Sequence, residues 1–482
     1  MRPLLIETVT GQTMADLRSA RDRSREADLV ELRLDGVGDL DVPGALAGRR
    51  HRVVVTCRPT WEGGRFDGPE ETRQAILRQA LEAGAEFVDV EWKAGFDGLV
   101  AEYRDRIVLS SHDFSGVPSD LASRARAMRG TGAALIKLAV MPRALSDLLP
   151  LRQIAADGPA VVIGMGDTGL PSRLLAAHFG SRWSYSGQAV APGQVPPARM
   201  VREFRFRETT ADTRVYGVVG NNVGHSLSPV MHNAAFAAAA IDAVYVPLLP
   251  ADFGDFLVFA DALRIEGVSV TVPYKIDALH AAVQADALSK QVGAANTLRR
   301  AAAGFDAANT DVAGFLAPLD ARYPGGLHGL RVAVLGAGGS ARAVVAGLRT
   351  RGATITVHAR RPEQAQELAS AFGVDAGGWP VGAGTWDLLV NTTPAGSATA
   401  RDASPLPGGP FTGELVYDLT YRMPGEEPAP LLREAQAAGC AVVDGLPMLV
   451  AQAEQQFAWW TGRAPAEGLM AAAVAQRLTA QA

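Results

Sequence analysis

The 482-residue chain has only two cysteines, Cys57 and Cys440, far apart and without metal-ligand spacing. A disulfide framework and a cysteine-based metal site are excluded, so the chain is expected in a reducing cytoplasm and without a metal. Charge of one sign is also missing: 46 Lys and Arg face 51 Asp and Glu, a formal net charge of −5. With no basic stripe, no nucleic-acid partner is expected. No stretch approaches the roughly 18 uninterrupted apolar residues of a membrane span. The opening "MRPLLIETVTGQ" places Glu7 where a signal peptide needs an apolar core. Neither secretion nor membrane association is expected, and nothing in the sequence sets an oligomeric state. Internal repeats and low-complexity tails are absent as well, which excludes solenoids and disordered arms.

What is present is an ordinary globular composition, 48% hydrophobic and 20% charged, in a chain long enough for two or three compact units. The first two hundred residues alternate helical patterns with eight short β-rich runs: "LLIETVT", "DLVELRLD", "HRVVVTCR", "EFVDVEW", "RIVLSSHDF", "ALIKLAV", "AVVIGMG" and "RWSYS". This predicts a (β/α)8 barrel, whose chemistry sits where the strands end. Polar residues gather near those ends: Glu31, Arg33, Thr56, Arg58, His112, Asp113 and Lys137. A lysine in an apolar barrel mouth loses solvation, which favours the neutral, nucleophilic amine. His112 has an ordinary pKa of about 6.5, suited to taking up and returning a proton.

The polar stretch from Glu208 to Arg214 reads as a linker, after which alternating strands and helices resume. In "LRVAVLGAGGSARAVVAGLRTRGATITVHARR" a strand, a glycine turn, a helix and a second strand follow one another. Gly336, Gly338 and Ala341 have the G-x-G-x-x-A spacing that brings a pyrophosphate to a helix N-terminus. Arg360 and Arg361 stand where an acid marks NAD; two guanidiniums suit a 2′-phosphate, hence NADPH.

The barrel motifs "ELRLD", "TCRPTWEGG", "SSHDF", "IKLAVMP", "GLPSR" and "APGQ", in that order across residues 3–205, resemble the type I 3-dehydroquinate dehydratases. The resemblance implies that Lys137 forms a Schiff base with the C3 carbonyl of 3-dehydroquinate, that His112 moves the proton and that Glu62 orients His112. It also implies that Arg173 clamps the substrate carboxylate, while Glu31, Arg33, Arg58 and Gln194 hold ring hydroxyls or order the site. Val190 stands where the family has serine, and weaker substrate binding is expected there.

Residues 214–480 resemble the shikimate dehydrogenase family through "GHSLSP", "VTVPYK", "GAANT", "NTDVAGF", "VNTTPAG", "YDLTY" and "GLPMLVAQAEQQFAWWTG". The resemblance implies a catalytic pair, Lys275 and Asp311, and further substrate contacts at Thr271, Asn296, Tyr421 and Gln452. Ser226 and Ser228 suit a substrate carboxylate, although Ser-Pro also begins helices. The glycine turn Gly336, Ala337, Gly338, Gly339, Ser340, Ala341 would hold the cofactor, with Asn391, Thr392 and Gly445 near the nicotinamide and the cleft. Asn296 and Asn391 equally suit turns. Val312 and Asn222 stand where the family has glycine and proline, and Trp459 and Trp460 read as core packing.

The expected division is a barrel at 1–208, a substrate-binding domain at 209–318, a Rossmann domain at 319–444 and returning helices at 445–482. The two resemblances together imply consecutive reactions on small molecules: 3-dehydroquinate to 3-dehydroshikimate, then NADPH-dependent reduction to shikimate. A catabolic quinate or shikimate dehydrogenase and a non-catalytic metabolite sensor are the alternative readings.

Overall fold

The computed structural model describes residues 2–188, 191–397, 400–422 and 426–479. Eight strands form the first sheet: β1 (Leu4–Val9), β2 (Leu29–Arg33), β3 (Arg52–Thr56), β4 (Phe87–Glu91), β5 (Ile107–Asp113), β6 (Leu135–Val140), β7 (Ala160–Gly164) and β8 (Trp183–Ser186). Their order is β7-β6-β5-β4-β3-β2-β1-β8, and neighbouring strands run parallel. The Arg182 N–H donates to the Ala160 carbonyl at 2.9 Å, which draws the entry of β8 to β7 and nearly closes the barrel. These are the eight runs expected from the sequence. Runs such as "RVVVT" and "AVVIG" form strands because β-branched side chains pack well on both faces of a covered parallel sheet. Ile6, Val54, Val108, Leu135, Val161 and Trp183 belong to one buried cluster.

The second sheet contains β9 (Arg214–Val219), β10 (Ala243–Leu248), β11 (Gly267–Val270), β12 (Gln284–Ala285), β13 (Thr297–Ala301) and β14 (Gly304–Ala308), ordered β10-β9-β11-β13-β14-β12. The third contains β15 (Arg331–Leu335), β16 (Thr354–His358), β17 (Asp375–Gly377), β18 (Leu388–Asn391), β19 (Leu415–Asp418) and β20 (Ala441–Val443), ordered β17-β16-β15-β18-β19-β20 and parallel throughout. The order reverses between β15 and β18, the switch point at which open α/β sheets bind ligands. The helices Asp311–Arg322 and Gly339–Thr350 share a core with this sheet, Phe315 stacking on Tyr417 at 5.2 Å. Val312 lies in that core, so its side chain fills space that a glycine would leave empty. Among the described residues, no helix is long and apolar enough to cross a membrane.

The chain divides into two compact units, the first comprising Met1–Gly217, Asn222–Ser226 and Asp242–Ile265, the second the remainder. The first unit therefore contains more than the barrel. Its helix Phe253–Ala262 carries Asp255, whose carboxylate accepts from the backbone N–H groups of Leu145 and Ser146, both at 2.8 Å, at the turn after β6. Arg152 donates to the Ala262 carbonyl at 2.6 Å, and His178 Nε2 lies 2.7 Å from the Thr213 carbonyl. The stretch expected as a linker is thus tied down: Thr213 is buried and its hydroxyl donates to Asp242 at 2.8 Å. Threonine hydroxyls can satisfy the local backbone there, which polarity alone does not reveal.

Removing Asp255 leaves three N–H groups, those of Leu145, Ser146 and Ala251, without their charged acceptor, each such bond being worth about 1.5–3 kcal/mol. Asp255→Ala is expected to lower the urea midpoint for loss of the barrel's activity, with Asp255→Asn falling between. Equal midpoints for all three proteins would show that the contact contributes nothing.

Candidate active sites

The barrel site is built at the carboxyl ends of its strands. Lys137, on β6, is buried, and its ammonium lies 2.9 Å from Asp89 Oδ2, 3.7 Å from Glu31 and 4.3 Å from the centre of the Tyr185 ring. The surroundings are therefore acid-lined, not the apolar mouth expected from the sequence. The reason is local. Asp89 and Glu91, two apart on β4, lie on the same face of the sheet, and both are fully buried.

Arg58 binds Asp89 at 2.9 Å and Glu91 at 2.7 Å. Ser110 adds a 2.5 Å hydrogen bond to Asp89. Burial works against ionisation of Asp89, but Arg58 and Lys137 overcome it and hold its carboxyl well below the usual range.

Glu62 accepts both the backbone N–H of His112, at 2.8 Å, and a 2.9 Å contact from His112 Nδ1. With the proton on Nδ1, Nε2 is left to accept. Burial, then the charges of Arg58 and Lys137, push the imidazole well below its ordinary value, so His112 is neutral near pH 7. Burial also pushes Glu62 up to about 7, against the pull of Arg58. Glu62 thus fixes the ring through both its backbone and its Nδ1.

Glu31 is fixed by the hydroxyls of Thr8 and Thr56, each at 2.8 Å, and Gln194 reaches Thr8 at 3.2 Å. Gly193, just before Gln194, has φ +74°, and a Cβ there would meet the Gly166 carbonyl at 2.5 Å; the loop therefore needs glycine at this point. Arg173 lies buried on the helix Gly166–Leu174 and, among the described residues, donates to the carbonyls of Tyr185 and Pro192, at 3.3 and 3.2 Å. Its Nε has no partner among the described residues, and burial lowers its pKa to about 10. A buried guanidinium without an acid is suited to a ligand carboxylate. Arg33, in contrast, is committed to Asp35 through two 2.8 Å bonds. Val190 lies outside the described residues.

In the second unit Lys275 opens the helix Lys275–His280, and its ammonium donates to Asp311 at 2.6 Å and to Ser340 at 3.4 Å. Asp311 opens the helix Asp311–Arg322 and accepts from the Asn296 amide at 2.9 Å. That amide also lies 3.2 Å from Gln452 Oε1. Four expected residues are thus brought into one hydrogen-bonded set, and Ser340, expected at the cofactor turn, joins it. Thr271 donates its N–H to the Val219 carbonyl at 2.9 Å, four positions before Lys275. Burial raises the Tyr421 phenol, with the Leu227 backbone opposing. Ser228 is the first residue of the helix Ser228–Ala238, and Ser226 lies on the turn before it. Asn222 is exposed ahead of that turn.

The glycine turn fits a dinucleotide. Gly336 has φ +110°, and a Cβ there would strike Thr392 Oγ1 at 2.5 Å. Gly338 caps the helix Gly339–Thr350 without a side-chain hydrogen bond, and a Cβ on it would meet nothing within 4 Å. Ala337 is half-buried between them, and Ala341 is buried in the helix's first turn. The N-terminal N–H groups are thereby open to an anion. Arg360 and Arg361 are exposed just beyond β16.

Asn391 is wholly occupied within the protein. Its amide donates to Asp418 at 2.9 Å, and its oxygen accepts from Thr393 N–H at 2.9 Å. Thr392 donates to the Leu335 carbonyl at 2.7 Å. Gly445 lies so close to β19 that a Cβ would meet the Leu419 carbonyl at 2.2 Å. These three hold the turn in shape. Trp460 packs against His232 at 5.1 Å and donates to the Leu298 carbonyl at 2.9 Å, which is the core role expected of it.

Sequence reasoning passed over Asp89, Glu91, Thr8, Ser110 and Tyr185. The available signal was "EFVDVEW", in which two acids share one face of an otherwise apolar strand.

A near-closed barrel with a buried lysine, joined to a Rossmann-type unit with a lysine–aspartate pair, defines a two-site enzyme that couples a lyase to a dehydrogenase. The model of type I 3-dehydroquinase matches residues 7–210, that of the shikimate dehydrogenase substrate binding domain residues 218–298, and that of the shikimate 5′-dehydrogenase C-terminal domain residues 445–475. A model of NADP oxidoreductase, coenzyme F420-dependent, matches residues 331–383. The chloroplastic bifunctional 3-dehydroquinate dehydratase/shikimate dehydrogenase of Arabidopsis thaliana is 32% identical over 474 residues, covering 90% of this chain and 78% of that one. Shikimate dehydrogenase (NADP(+)) of Citrifermentans bemidjiense is 39% identical over 285 residues, covering 56% and 97%. A crystal structure of shikimate dehydrogenase in complex with NADP+ is 31% identical with a TM-score of 0.51, covering 56% and 97%. The chain belongs to the family of bifunctional 3-dehydroquinate dehydratase/shikimate dehydrogenases.

Proposed function

We propose that Lys137 of the barrel dehydrates 3-dehydroquinate through a Schiff base, and that the second unit reduces the resulting 3-dehydroshikimate to shikimate with NADPH. The observation that carries the reading is the pairing, within one barrel end, of a buried primary amine with a neutral, glutamate-held histidine.

The Lys137 amine condenses with the C3 ketone, releasing water and leaving an iminium. The iminium withdraws electrons from C2, His112 takes the C2 proton, and the same proton leaves with the C1 hydroxyl as water. Hydrolysis of the iminium then frees the amine, so the net change is the loss of one water. Arg173 holds the carboxylate, while Glu31 and Gln194, joined through Thr8, face ring hydroxyls.

In the second unit the nicotinamide supplies hydride when bound. Lys275 is placed to give a proton to the oxygen of the C3 ketone, and Asp311 holds the ammonium in position while Asn296 fixes Asp311. Ser228 takes the substrate carboxylate. Gly336, Gly338, Gly339 and Ser340 cradle the pyrophosphate, and Arg360 with Arg361 takes the 2′-phosphate.

The test supplies 3-dehydroquinate with NADPH or NADH. Shikimate is expected with NADPH, and borohydride is expected to fix a covalent adduct on the peptide containing Lys137. An Arg360→Ser/Arg361→Ser double variant is expected to raise KM for NADPH about tenfold or more, as loss of charge-assisted hydrogen bonds implies, with KM for NADH little changed. Adduct on another peptide, or no adduct during turnover, rejects the Schiff-base assignment; equal use of both cofactors rejects the arginine assignment.

A further inference from the structure

Arg73 is the largest charged side chain that is fully buried, and it comes from a helix outside the barrel, Glu70–Glu82. Its Nη1 reaches inward to Glu91 Oε2, and its Nη2 lies 2.5 Å from Glu70. The Phe96 ring lies 4.7 Å from the guanidinium. Glu91 gives its other oxygen to Arg58 at 2.7 Å, Arg58 reaches Asp89 at 2.9 Å, and Asp89 reaches Lys137 at 2.9 Å. A row of alternating charges, Arg73, Glu91, Arg58, Asp89 and Lys137, thus runs from the outer helix to the amine.

Buried pairs of this kind cost much of their attraction in lost solvation, so stability alone is a poor reason for Arg73 to be there. Electrostatics supplies another. Burial pushes Glu91 towards its neutral form, and its two guanidiniums oppose that. With Arg73 on Glu91, Arg58 keeps one arm for Asp89. Asp89 is then shared between Arg58 and Lys137 and is not left with the lysine as its sole counter-ion.

We propose that Arg73 is a positioning residue for the dehydratase: through Glu91 and Arg58 it sets how firmly Asp89 holds the Lys137 ammonium, and so the pH at which the amine is released for attack. The inference rests on the reading of Lys137 as the Schiff-base nucleophile. The other groups facing Lys137 are Glu31 on β2, Tyr185 on β8 and His112 on β5, and none of them touches Arg73.

The test compares full-length wild type, Arg73→Gln, Arg73→Lys and Glu91→Gln. Two quantities are followed against pH: kcat/KM for dehydration, and the initial rate at which 3-dehydroquinate and cyanoborohydride label Lys137. Losing the positive charge should move the acid limb of both to higher pH, lowering the rate at a pH on that limb by about threefold or more relative to the plateau. Losing the negative charge in Glu91→Gln should move both limbs to lower pH. Arg73→Lys should restore most of the wild-type profile.

A residue that only braces the fold would lower the plateau or the melting temperature and leave the limbs in place. Unmoved limbs, or limbs that move in the same direction in Arg73→Gln and Glu91→Gln, overturn the proposal. If Arg73→Gln does not fold, the opposite shift in Glu91→Gln still decides it. Absence of any label on wild-type Lys137 rejects instead the Schiff-base reading beneath it.

Discussion

Lys137→Met is expected to abolish dehydration of 3-dehydroquinate while leaving NADP-dependent oxidation of shikimate at the wild-type rate. Methionine matches the lysine stem in length and adds no charge, so the cost falls on Asp89, which loses one partner but keeps Arg58 at 2.9 Å and Ser110 at 2.5 Å. The buried carboxylate therefore stays paired, and the barrel should fold. Without the amine no iminium forms, and His112 faces a C2 proton of ordinary acidity. Loss of a nucleophile that acts together with its base removes nearly all of the rate, on the order of a 10⁴-fold fall or more. Appearance of the conjugated enone of 3-dehydroshikimate measures it directly. A variant retaining more than about one per cent of the rate would mean that enolate chemistry at His112 carries the reaction without Lys137.

Lys275→Met should have the reciprocal effect: reduction of 3-dehydroshikimate falls by about 10²–10⁴-fold, the usual contribution of a positioned general acid, and dehydration is unchanged. Most of the loss should lie in kcat. The lysine stem packs near Gly339, 3.4 Å from where a Cβ would stand, and methionine preserves that contact at the cofactor turn. KM for NADPH should accordingly stay close to that of wild type. A variant in which KM for the ketone rises and kcat holds would make Lys275 a binding residue, and Asp311 would then be the group to examine for proton transfer. Asp311→Asn should lose less, because Asn296 remains 2.9 Å away to orient the amide while the ammonium loses its counter-charge.

The architecture was largely legible because its signals are periodic. All eight barrel strands read as short β-rich runs, and the glycine motif from Gly336 to Ala341 leads from the strand into the helix that its spacing calls for. The grouping of the expected residues was legible too: Lys137, His112 and Glu62 lie at one end of the barrel, and Lys275, Asp311, Asn296 and Gln452 share one hydrogen-bonded set.

What escaped was the company these residues keep. The setting of Lys137 was expected to be apolar because its own strand is apolar, yet its partners come from β2 and β4, and pairing between strands is not written in either one. Arg73 escaped for the same reason, since on its helix it reads as one more charge in "EETRQAILRQALE". Asn391, expected near the nicotinamide, spends its amide on Asp418 and its neighbours, and a single polar residue in sequence does not announce which way it faces.

The hydrogen bonds from Leu145 and Ser146 to Asp255 have a bearing on modularity. The family matches end at residue 210 and resume at 218, which invites separation of the chain into two portable genes. The helix Phe253–Ala262 defies that division: its residues fall within the second match, yet its carboxylate and its last carbonyl close the turn after β6 and the helix that follows it. A barrel taken alone would lose the acceptors for those N–H groups and the Ala262 carbonyl that accepts from Arg152 Nη1, and would have to be redesigned at that surface before it could be transplanted. Units of inheritance and units of folding therefore part company in this chain within a single carboxylate.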